Sequence, residues 1–318
     1  MLLFYSDPRM LHHRPWSWHP ESPARLSSIL EVLRDNGQLV ATQQQPVKPA
    51  NDADLARVHA PSYVREIALF ERGGGGQYES DTFVSSGTDL AARLAAGAAI
   101  DAVRGVVSGP NSRAFCAVRP PGHHARPSTA MGFCIYSNAA VAAAYAREVL
   151  GLDRILVVDF DVHHGNGTQE AFYDDSQVGF LSIHRFPFYP GTGDLDETGS
   201  GAGLGFTRNI PLPHDTRPND LISAFRSGLE TMANKVRPQL VILSAGFDAH
   251  RADPVGGLGL EVEHFEDLTR AVIEVAEAHA DGRIVSLLEG GYHLQFLPMC
   301  VEAHLKVLGV PISRTATT

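Results

Sequence analysis

The stretch ILVVDFDVHHGNGT, residues 155–168, decides the fold of this chain. Its apolar start, residues 155–158, is typical of a parallel strand that is buried on both faces. Behind it, Asp161 and His163 stand two positions apart. In an extended chain such residues point to the same side, roughly 6 to 7 Å apart, and can bind one metal ion. A carboxylate and an imidazole suit zinc or another first-row divalent ion, so the stretch predicts a strand that ends in a metal site.

A third metal ligand is predicted after another apolar run, in SAGFDAH (244–250). A catalytic zinc site takes three protein ligands and keeps one position open for water or substrate. Asp248 completes such a set with Asp161 and His163. A single aspartate after a strand is more often a helix cap or a turn residue, but the joint occurrence of all three favours a ligand. The combination predicts a metallohydrolase.

Short apolar runs alternate with longer helical stretches along the chain. The predicted strands are 2–5, 114–118, 155–159, 179–183, 240–244 and 283–288. The predicted helices are 22–36, 88–107, 137–150, 218–235, 263–280 and 294–308. This alternation predicts an α/β fold with a mainly parallel sheet, in which sites form at the carboxyl ends of strands. No change in composition divides the chain, so we expect a single domain over residues 1–318.

Composition excludes several classes of protein. A chain of 318 residues with 44% hydrophobic and 19% charged residues is ordinary for a globular protein. It has no run of 18 apolar residues and no basic, apolar leader, so we expect neither a membrane span nor a signal peptide. Cys116, Cys134 and Cys300 form no metal-binding spacing and no disulfide framework, which favours a cytoplasmic location. The formal charge of −10 argues against nucleic-acid binding and weakly favours cationic substrates.

Two adjacent histidines, His123 and His124, follow a Pro-Pro-Gly turn in RPPGHHA (119–125). An imidazole with a pKa of about 6.5 can accept and return a proton at neutral pH. Each ring needs a partner that fixes its orientation, and Asp159 and Asn166 are plausible partners. Because one partner is charged and the other is neutral, the two histidines should differ in basicity.

The segment Glu289-Gly290-Gly291-Tyr292 follows the last predicted strand. Glycines permit tight backbone turns, which would let Tyr292 point its hydroxyl into a site. There it could donate a hydrogen bond to a developing oxyanion. The alternative is a tyrosine that only packs at the rim.

Together these segments resemble the histone deacetylase superfamily, which includes bacterial deacetylase-like amidohydrolases and acetylpolyamine amidohydrolases. The resemblance covers about residues 12–293, and the motifs occur in the family's order. They are HPESPARL (19–26), RPPGHHA (119–125), GFC (132–134), DFDVHHGNGT (159–168), PGTGD (190–194), SAGFDAH (244–250) and EGGY (289–292). Asn166 and DPVGG (253–257) look more like class II than class I members.

The resemblance implies the arginase–deacetylase fold, a mainly parallel sheet of about eight strands between helical layers. It implies one catalytic zinc ion on Asp161, His163 and Asp248. His124 would be the general base and acid, with Asn166 as its partner. His123 would be an electrostatic partner paired with Asp159, and Tyr292 would bind the acetyl oxygen. It also implies a structural potassium ion, held mostly by backbone carbonyls at Asp159, Asp161, His163, Ser182 and Ile183.

The resemblance also implies a tunnel for the substrate. Gly132, Phe133 and Tyr189 would line it, and Tyr189 places a hydroxyl where the family often has phenylalanine. Asp81 aligns with a rim carboxylate that in some members holds the substrate backbone. Trp16 and Trp18 are candidates for the tunnel rim or a partner contact, although tryptophans more often only pack.

The implied reaction removes acetyl or other acyl groups from the ε-amine of lysine and releases acetate. The substrate would be an acyl-lysine peptide, without nucleic acid or membrane, and a homo-oligomer is left open. The main alternative is hydrolysis of acetylated polyamines or other small acetylated amines. Val255 is apolar where polyamine-selective members can carry a carboxylate, which favours lysine. A binuclear arginase-like enzyme would need more bridging carboxylates, and an inactive binding protein would be expected to lack Tyr292 or a histidine.

Overall fold

Eight parallel strands form the central sheet of this computed structural model, which describes residues 1–309. Across the sheet the strands are β2 (Gln43–Gln45), β1 (Leu3–Tyr5), β5 (Arg113–Cys116), β10 (Ile284–Leu288), β9 (Leu240–Ala245), β6 (Ile155–Asp159), β7 (Val178–Arg185) and β8 (Thr207–Leu212). Every neighbouring pair is parallel. A separate antiparallel hairpin is formed by β3 (Gly76–Gln77) and β4 (Phe83–Val84).

The helices cover the sheet as two layers. They are α1 (Pro23–Asp35), α2 (Gln38–Ala41), α3 (Asp52–Leu55), α4 (Pro61–Arg72), α5 (Thr88–Ser108), α6 (Asn138–Glu148), α7 (Asn166–Ala171), α8 (Pro218–Val236), α9 (Val262–His279) and α10 (Phe296–Gly309). In one layer, α5 and α6 pack together and on the central strands. In the other, α1, α10, α9 and α8 pack in succession, and α8 covers β7 and β8. All five residues of β6 are buried, as expected for a strand covered on both faces.

The predicted α/β architecture is confirmed, and each predicted strand and long helix has its counterpart. The sequence missed the two edge strands, β2 and β8. Strand β2 has the sequence QQQ, and β8 contains Arg208, Asn209 and Pro211. An edge strand has one neighbour and stays partly exposed, so it needs no apolar run. The single-domain prediction includes residues 310–318, which lie outside the described part of the chain.

Four neighbouring strands, β5, β10, β9 and β6, deliver the sequence motifs to one edge of the sheet. RPPGHHA follows β5, EGGY follows β10, SAGFDAH ends β9 and DFDVHHGNGT continues β6. Because the strands are parallel, their carboxyl ends meet at this edge. Within residues 1–309, none of the helices is both long and apolar enough to cross a lipid bilayer.

Candidate active site

Asp161, His163 and Asp248 converge as the sequence predicts. The Nδ1 atom of His163 lies 3.0 Å from Oδ1 of Asp161 and 3.1 Å from Oδ2 of Asp248. Neighbouring backbone amides hold both carboxylates: Val162 N–H donates to Asp248 at 2.9 Å, and Gly290 N–H donates to Asp161 at 2.8 Å. A Cβ atom on Gly290 would collide with both carboxylates, so glycine is required there. The three side chains form one buried donor set.

The charges of this trio call for a cation. Burial, and then the negative charge of Asp161, raises the pKa of Asp248 to about 7. Burial opposes protonation of His163, but hydrogen bonds to Asp161 and Asp248 outweigh it and raise the pKa of His163 to about 10. Nδ1 of His163 thus lies between two buried carboxylates, where a cation would neutralise their charge. One imidazole and two carboxylates are ligands that zinc accepts, so the donor set fits that ion.

The two adjacent histidines have the partners that the sequence indicates. His123 Nδ1 lies 2.9 Å from Oδ2 of Asp159, and His124 Nδ1 lies 2.7 Å from Oδ1 of Asn166. The ring centroids of the two histidines are 4.0 Å apart. Both partner atoms are hydrogen-bond acceptors, so each Nδ1 carries a hydrogen and Nε2 of each ring is left to exchange protons.

The surroundings of the two histidines shift their pKa values in opposite directions. Burial opposes the charged form of His123, but the charges of Asp159 and Asp161 outweigh it and raise the pKa of His123 well above its usual range. Burial, and then the charge of His123, lowers the pKa of His124 well below its usual range. His124 is therefore held neutral beside a positively charged neighbour, a state in which it can accept a proton.

Tyr292 is fixed by contacts that the sequence did not suggest. Arg25 is fully buried, and its Cζ atom lies over the Tyr292 ring at 4.7 Å from the centroid. Arg25 also donates to the carbonyl oxygens of Gly291 and Glu289, at 2.6 and 2.5 Å. The Tyr292 backbone N–H donates to Asp253 at 2.7 Å. Arg25 lies within HPESPARL, but no local pattern shows that this segment contacts the EGGY turn.

Glu289 is a second residue that sequence analysis did not place in the site. Its carboxylate accepts hydrogen bonds from the backbone amides of Gly122 and His123, at 2.6 and 3.1 Å. Burial raises the pKa of Glu289 to about 7. Glu289 also forms a buried cluster with His123 and Cys134, although the cysteine spacings indicate no metal site. The two amide contacts show that Glu289 anchors the turn that carries the histidines.

A cavity of about 230 Å³ opens onto these groups. Its lining is Asp81, His124, Gly132, Phe133, His163, Phe188, Tyr189, Val255 and Tyr292. All five predicted substrate-binding residues are among them. Phe188 was missed, although it precedes Tyr189; its ring stacks on His163 with centroids 5.2 Å apart. A larger cavity of about 520 Å³ near Met1 and Leu308 has no histidine in its lining, so size alone does not identify the site.

At the mouth of this cavity, Asp81 and Tyr189 contact each other. Asp81 Oδ1 accepts from the Gly132 backbone N–H at 3.1 Å and from the Thr82 hydroxyl at 2.8 Å. Burial, and then the negative charge of the Asp81 carboxylate, raises the pKa of the Tyr189 phenol. The hydroxyl that distinguishes Tyr189 from a phenylalanine therefore lies near the rim carboxylate.

The residues predicted to hold potassium also lie together. Asp159 on β6 is paired in register with Ser182 on β7, and Ile183 follows. Ser182 Oγ lies 2.9 Å from Nδ1 of His184, and Asp159 Oδ1 accepts from the backbone N–H of Asp161 at 3.0 Å. All these residues are buried. The sheet register thus brings Asp159 beside Ser182, at the strand end that leads to Asp161 and His163.

Comparisons with known proteins agree with this geometry. Residues 19–308 match the family model of the histone deacetylase domain. A probable deacetylase of Archaeoglobus fulgidus is 39% identical over 287 residues, which cover 90% of this chain and 79% of that protein. The human polyamine deacetylase HDAC10 is 40% identical over 290 residues, covering 87% of this chain and 43% of that protein.

The fold has a close counterpart among solved structures. The crystal structure of the HDA15 HD domain superposes with a TM-score of 0.92 at 36% identity, covering 96% of this chain and 88% of that one. This likeness confirms the arginase–deacetylase fold, and the comparisons together support a hydrolytic deacetylase activity in general. On the family match, the relatives and the shared fold, the chain belongs to the histone deacetylase family.

Proposed function

We propose that the chain is a zinc-dependent amidohydrolase that removes acetyl or other acyl groups from the ε-amine of lysine and releases acetate. One observation carries the proposal. The 230 Å³ cavity, with Phe133, Phe188 and Val255 in its walls, opens onto His124, His163 and Tyr292. An apolar channel suits the four-carbon lysine stem, and the polar groups meet the amide at its end.

Asp161, His163 and Asp248 would hold the zinc ion. Zinc bound there would polarise the acyl carbonyl and lower the pKa of a water molecule toward about 7. The two carboxylates also place negative charge where a cation is needed, and the backbone amides of Val162 and Gly290 prevent their rotation. These hydrogen bonds orient the carboxylates of the trio.

His124 would move the protons of the reaction. Its Nδ1–H is engaged by Asn166, so Nε2 accepts the proton of the attacking water and then delivers it to the leaving amine. The lowered pKa of His124 keeps this nitrogen unprotonated at the start. His123, whose charge is stabilised by Asp159, would be a positioning residue that favours the negative charge developing on the acyl oxygen.

Tyr292 would donate its phenolic hydrogen bond to the developing oxyanion. Burial raises the pKa of Tyr292 well above its usual range, so the phenol keeps its proton. Arg25 holds the ring from behind, and Asp253 holds the backbone, which limits the motion of the hydroxyl. A fixed donor needs no reorganisation during the reaction.

The proposal includes a structural potassium ion beneath the site. Its ligands would be Asp159 and Ser182 with the backbone carbonyls of Asp161, His163 and Ile183. The register that pairs Asp159 with Ser182 supports this assignment.

A cytoplasmic location remains a sequence-based proposal.

A second candidate function is hydrolysis of acetylated polyamines. The 40% identity to human polyamine deacetylase HDAC10 favours it, as does Asp81 at the mouth, which could pair with a second amine. Against it, Val255 contributes no charge to the lining. The second ammonium group of a polyamine would bind more tightly if a carboxylate stood at position 255 in place of valine.

One substrate panel separates the two candidates. Acetyl-lysine peptides, longer acyl-lysine peptides, acetylspermidine and acetylputrescine are compared by kcat/KM with the zinc-loaded protein. We expect the acyl-lysine peptides to give the highest values. A preference for acetylspermidine over every acyl-lysine peptide would replace the first proposal by the second.

A further inference from the structure

The only two tryptophans of the chain lie outside the cavity and are exposed to solvent. Trp16 is 50% exposed and Trp18 is 69% exposed. Their rings are 5.5 Å apart and inclined at 55°, and Trp16 rests on Phe83 of β4 at 4.3 Å. We call Trp16, Trp18 and Phe83 the aromatic platform. Large aromatic rings that are exposed to solvent and contact each other indicate a ligand-binding surface.

The aromatic platform continues into the wall of the cavity. His19 packs edge-on against Phe83 at 5.3 Å and against Phe133 at 4.6 Å. Nε2 of His19 also lies 3.1 Å from the backbone oxygen of Asp81. Phe133 and Asp81 both line the cavity. The platform is therefore connected through His19 to two residues of the cavity lining, Phe133 and Asp81.

The chemistry of the platform favours a cation. Tryptophan faces attract ammonium and guanidinium groups more strongly than other aromatic rings do. Within residues 1–309, the cation–ring contacts of arginines and lysines fall on Tyr145, Phe188, Phe206 and Tyr292, and none falls on a tryptophan. The net charge of −10 adds long-range attraction for a basic ligand.

The charged side chains near the platform agree with this choice. Glu79 and Asp81 lie in the hairpin turn that leads to Phe83. Arg14, the nearest cation along the chain, directs its Nε to the carbonyl of Leu11. The hairpin turn thus carries two carboxylates next to the platform residue Phe83, and one of them, Asp81, also lines the cavity.

We infer that the aromatic platform is a subsite for an arginine or lysine side chain of a peptide substrate, a few residues from the acylated lysine. The ring centroids of Phe133, His19, Phe83 and Trp16 follow one another at 4.6, 5.3 and 4.3 Å. An extended peptide advances about 3.3 to 3.6 Å per residue, so a side chain within about four residues of the acyl-lysine spans that path. The inference rests on the proposed acyl-lysine hydrolysis and defines which peptides are preferred.

The test uses the zinc-loaded protein and three substrates: a capped acetyl-lysine without flanking residues, an acetyl-lysine peptide with arginine three residues away on both sides, and the same peptide with alanine there. The variants are Trp16→Ala, Trp18→Ala and the conservative Trp18→Phe. Val40→Ala is the matched control, because Val40 is an apolar residue of α2 that is 82% exposed.

We expect the unmodified protein to prefer the arginine peptide over the alanine peptide. Each alanine variant should lower kcat/KM for the arginine peptide about three- to tenfold through KM, the range of a cation–π contact. The capped substrate should be unaffected, Trp18→Phe should keep part of the preference, and Val40→Ala should keep all of it. Because the capped substrate reports on folding and catalysis, a misfolded variant is recognised directly.

Three results would overturn the inference. Equal losses on all three substrates would make the tryptophans structural. An arginine preference that is absent, or that survives both alanine substitutions, would leave the platform without a role in peptide binding. A dimer that Trp18→Ala dissociates, with unchanged peptide preference, would assign the platform to a second copy of the chain. In each case hydrolysis of the capped substrate would still support the proposed function, whereas inactivity on every acyl-lysine would refute that function itself.

Discussion

The floor of the cavity and its rim are built from different parts of the fold. The floor residues Asp161 and Asp248 follow adjacent central strands, are fully buried and are held by backbone amides. The rim residues Trp16, Trp18 and Tyr189 lie on loops and are between 37% and 69% exposed. A rigid sheet edge can hold reacting groups in one geometry, whereas loops can differ between related proteins without disturbing it. The floor should therefore determine the reaction, and the rim should determine the substrate.

This division has a measurable consequence. A substitution in the floor should lower the rate for every substrate by a similar factor. A substitution at the rim should instead change the ratio between substrates. The predictions below are ordered by the size of the expected effect.

The largest effect is expected for the metal-ligand trio. Asp248→Ala should remove about one zinc per chain and lower kcat/KM at least about 10³-fold for every substrate, because metal stabilisation of the transition state is worth several kcal/mol. Metal content and kcat/KM are measured together, and Asp161→Ala should behave alike. Asp196→Ala, which removes an exposed carboxylate, is the control. Full activity of the metal-free protein would refute the proposed mechanism.

The next effect separates the two histidines. His124→Ala should lower kcat about 10²- to 10⁴-fold, the usual value of a general acid–base group. His123→Ala should cost less, because His123 acts on the reaction only through its charge. Both variants are compared at equal zinc content. Equal losses of kcat in the two variants, or a larger loss for His123→Ala, would contradict these assignments.

Tyr292→Phe tests the third element of the floor. The variant should keep its fold and metal and lose about 10²- to 10³-fold in kcat, as expected for one oxyanion donor. Both acetyl-lysine peptides and acetylspermidine are assayed, and the two losses should be similar. A nearly normal kcat would reduce Tyr292 to a packing residue.

At the rim, Val255→Glu should change selectivity. A carboxylate there could pair with the second amine of a polyamine, and a partly desolvated charge pair is worth about 1 to 3 kcal/mol. The ratio of kcat/KM for acetylspermidine to that for an acetyl-lysine peptide should rise roughly 5- to 150-fold. Val255→Gln, of similar size but uncharged, is the control. If Val255→Glu and Val255→Gln change this ratio equally, the shape of the side chain and not its charge is responsible.

The smallest effect is expected for Tyr189→Phe. Without the Tyr189 hydroxyl nearby, the Asp81 carboxylate should accept a hydrogen bond from the substrate backbone more readily. We expect kcat/KM for an acetyl-lysine peptide to rise about two- to fivefold, the value of one ordinary hydrogen bond. Acetylputrescine, which has no peptide backbone, should not show the increase. A fall for both substrates would mean that the Tyr189–Asp81 contact shapes the tunnel itself.

Local patterns in the sequence were sufficient for much of the floor. The two-residue spacing of Asp161 and His163, after a run of buried residues, predicts both the strand and the metal ligands. Asp159 and Asn166 could be named as plausible partners of the two histidines, and the family resemblance implied that His123 pairs with Asp159. Chemistry of this kind is encoded locally, because a strand end fixes the direction of the side chains that follow it.

Other parts of the site could not be predicted from any local pattern. Arg25 contacts the backbone of Gly291, 266 residues away in sequence. Glu289 anchors the histidine turn from a neighbouring strand, and Phe188 stacks on His163 from a third loop. These contacts depend on which strands are neighbours and on how loops close over the sheet edge.

The sequence by itself therefore determined the α/β class, the family resemblance and the choice of candidate reacting groups, because these depend on residue type and short spacing. Only the tertiary structure decided how those groups are held and what surrounds them. It brought Tyr189 and Asp81 into the lining of one cavity, placed Arg25 over the Tyr292 ring, and connected Trp16 and Trp18 to the cavity wall through Phe83 and His19. The physical reason is that such contacts join residues far apart in sequence, and their geometry exists only when the whole sheet and its loops have packed together.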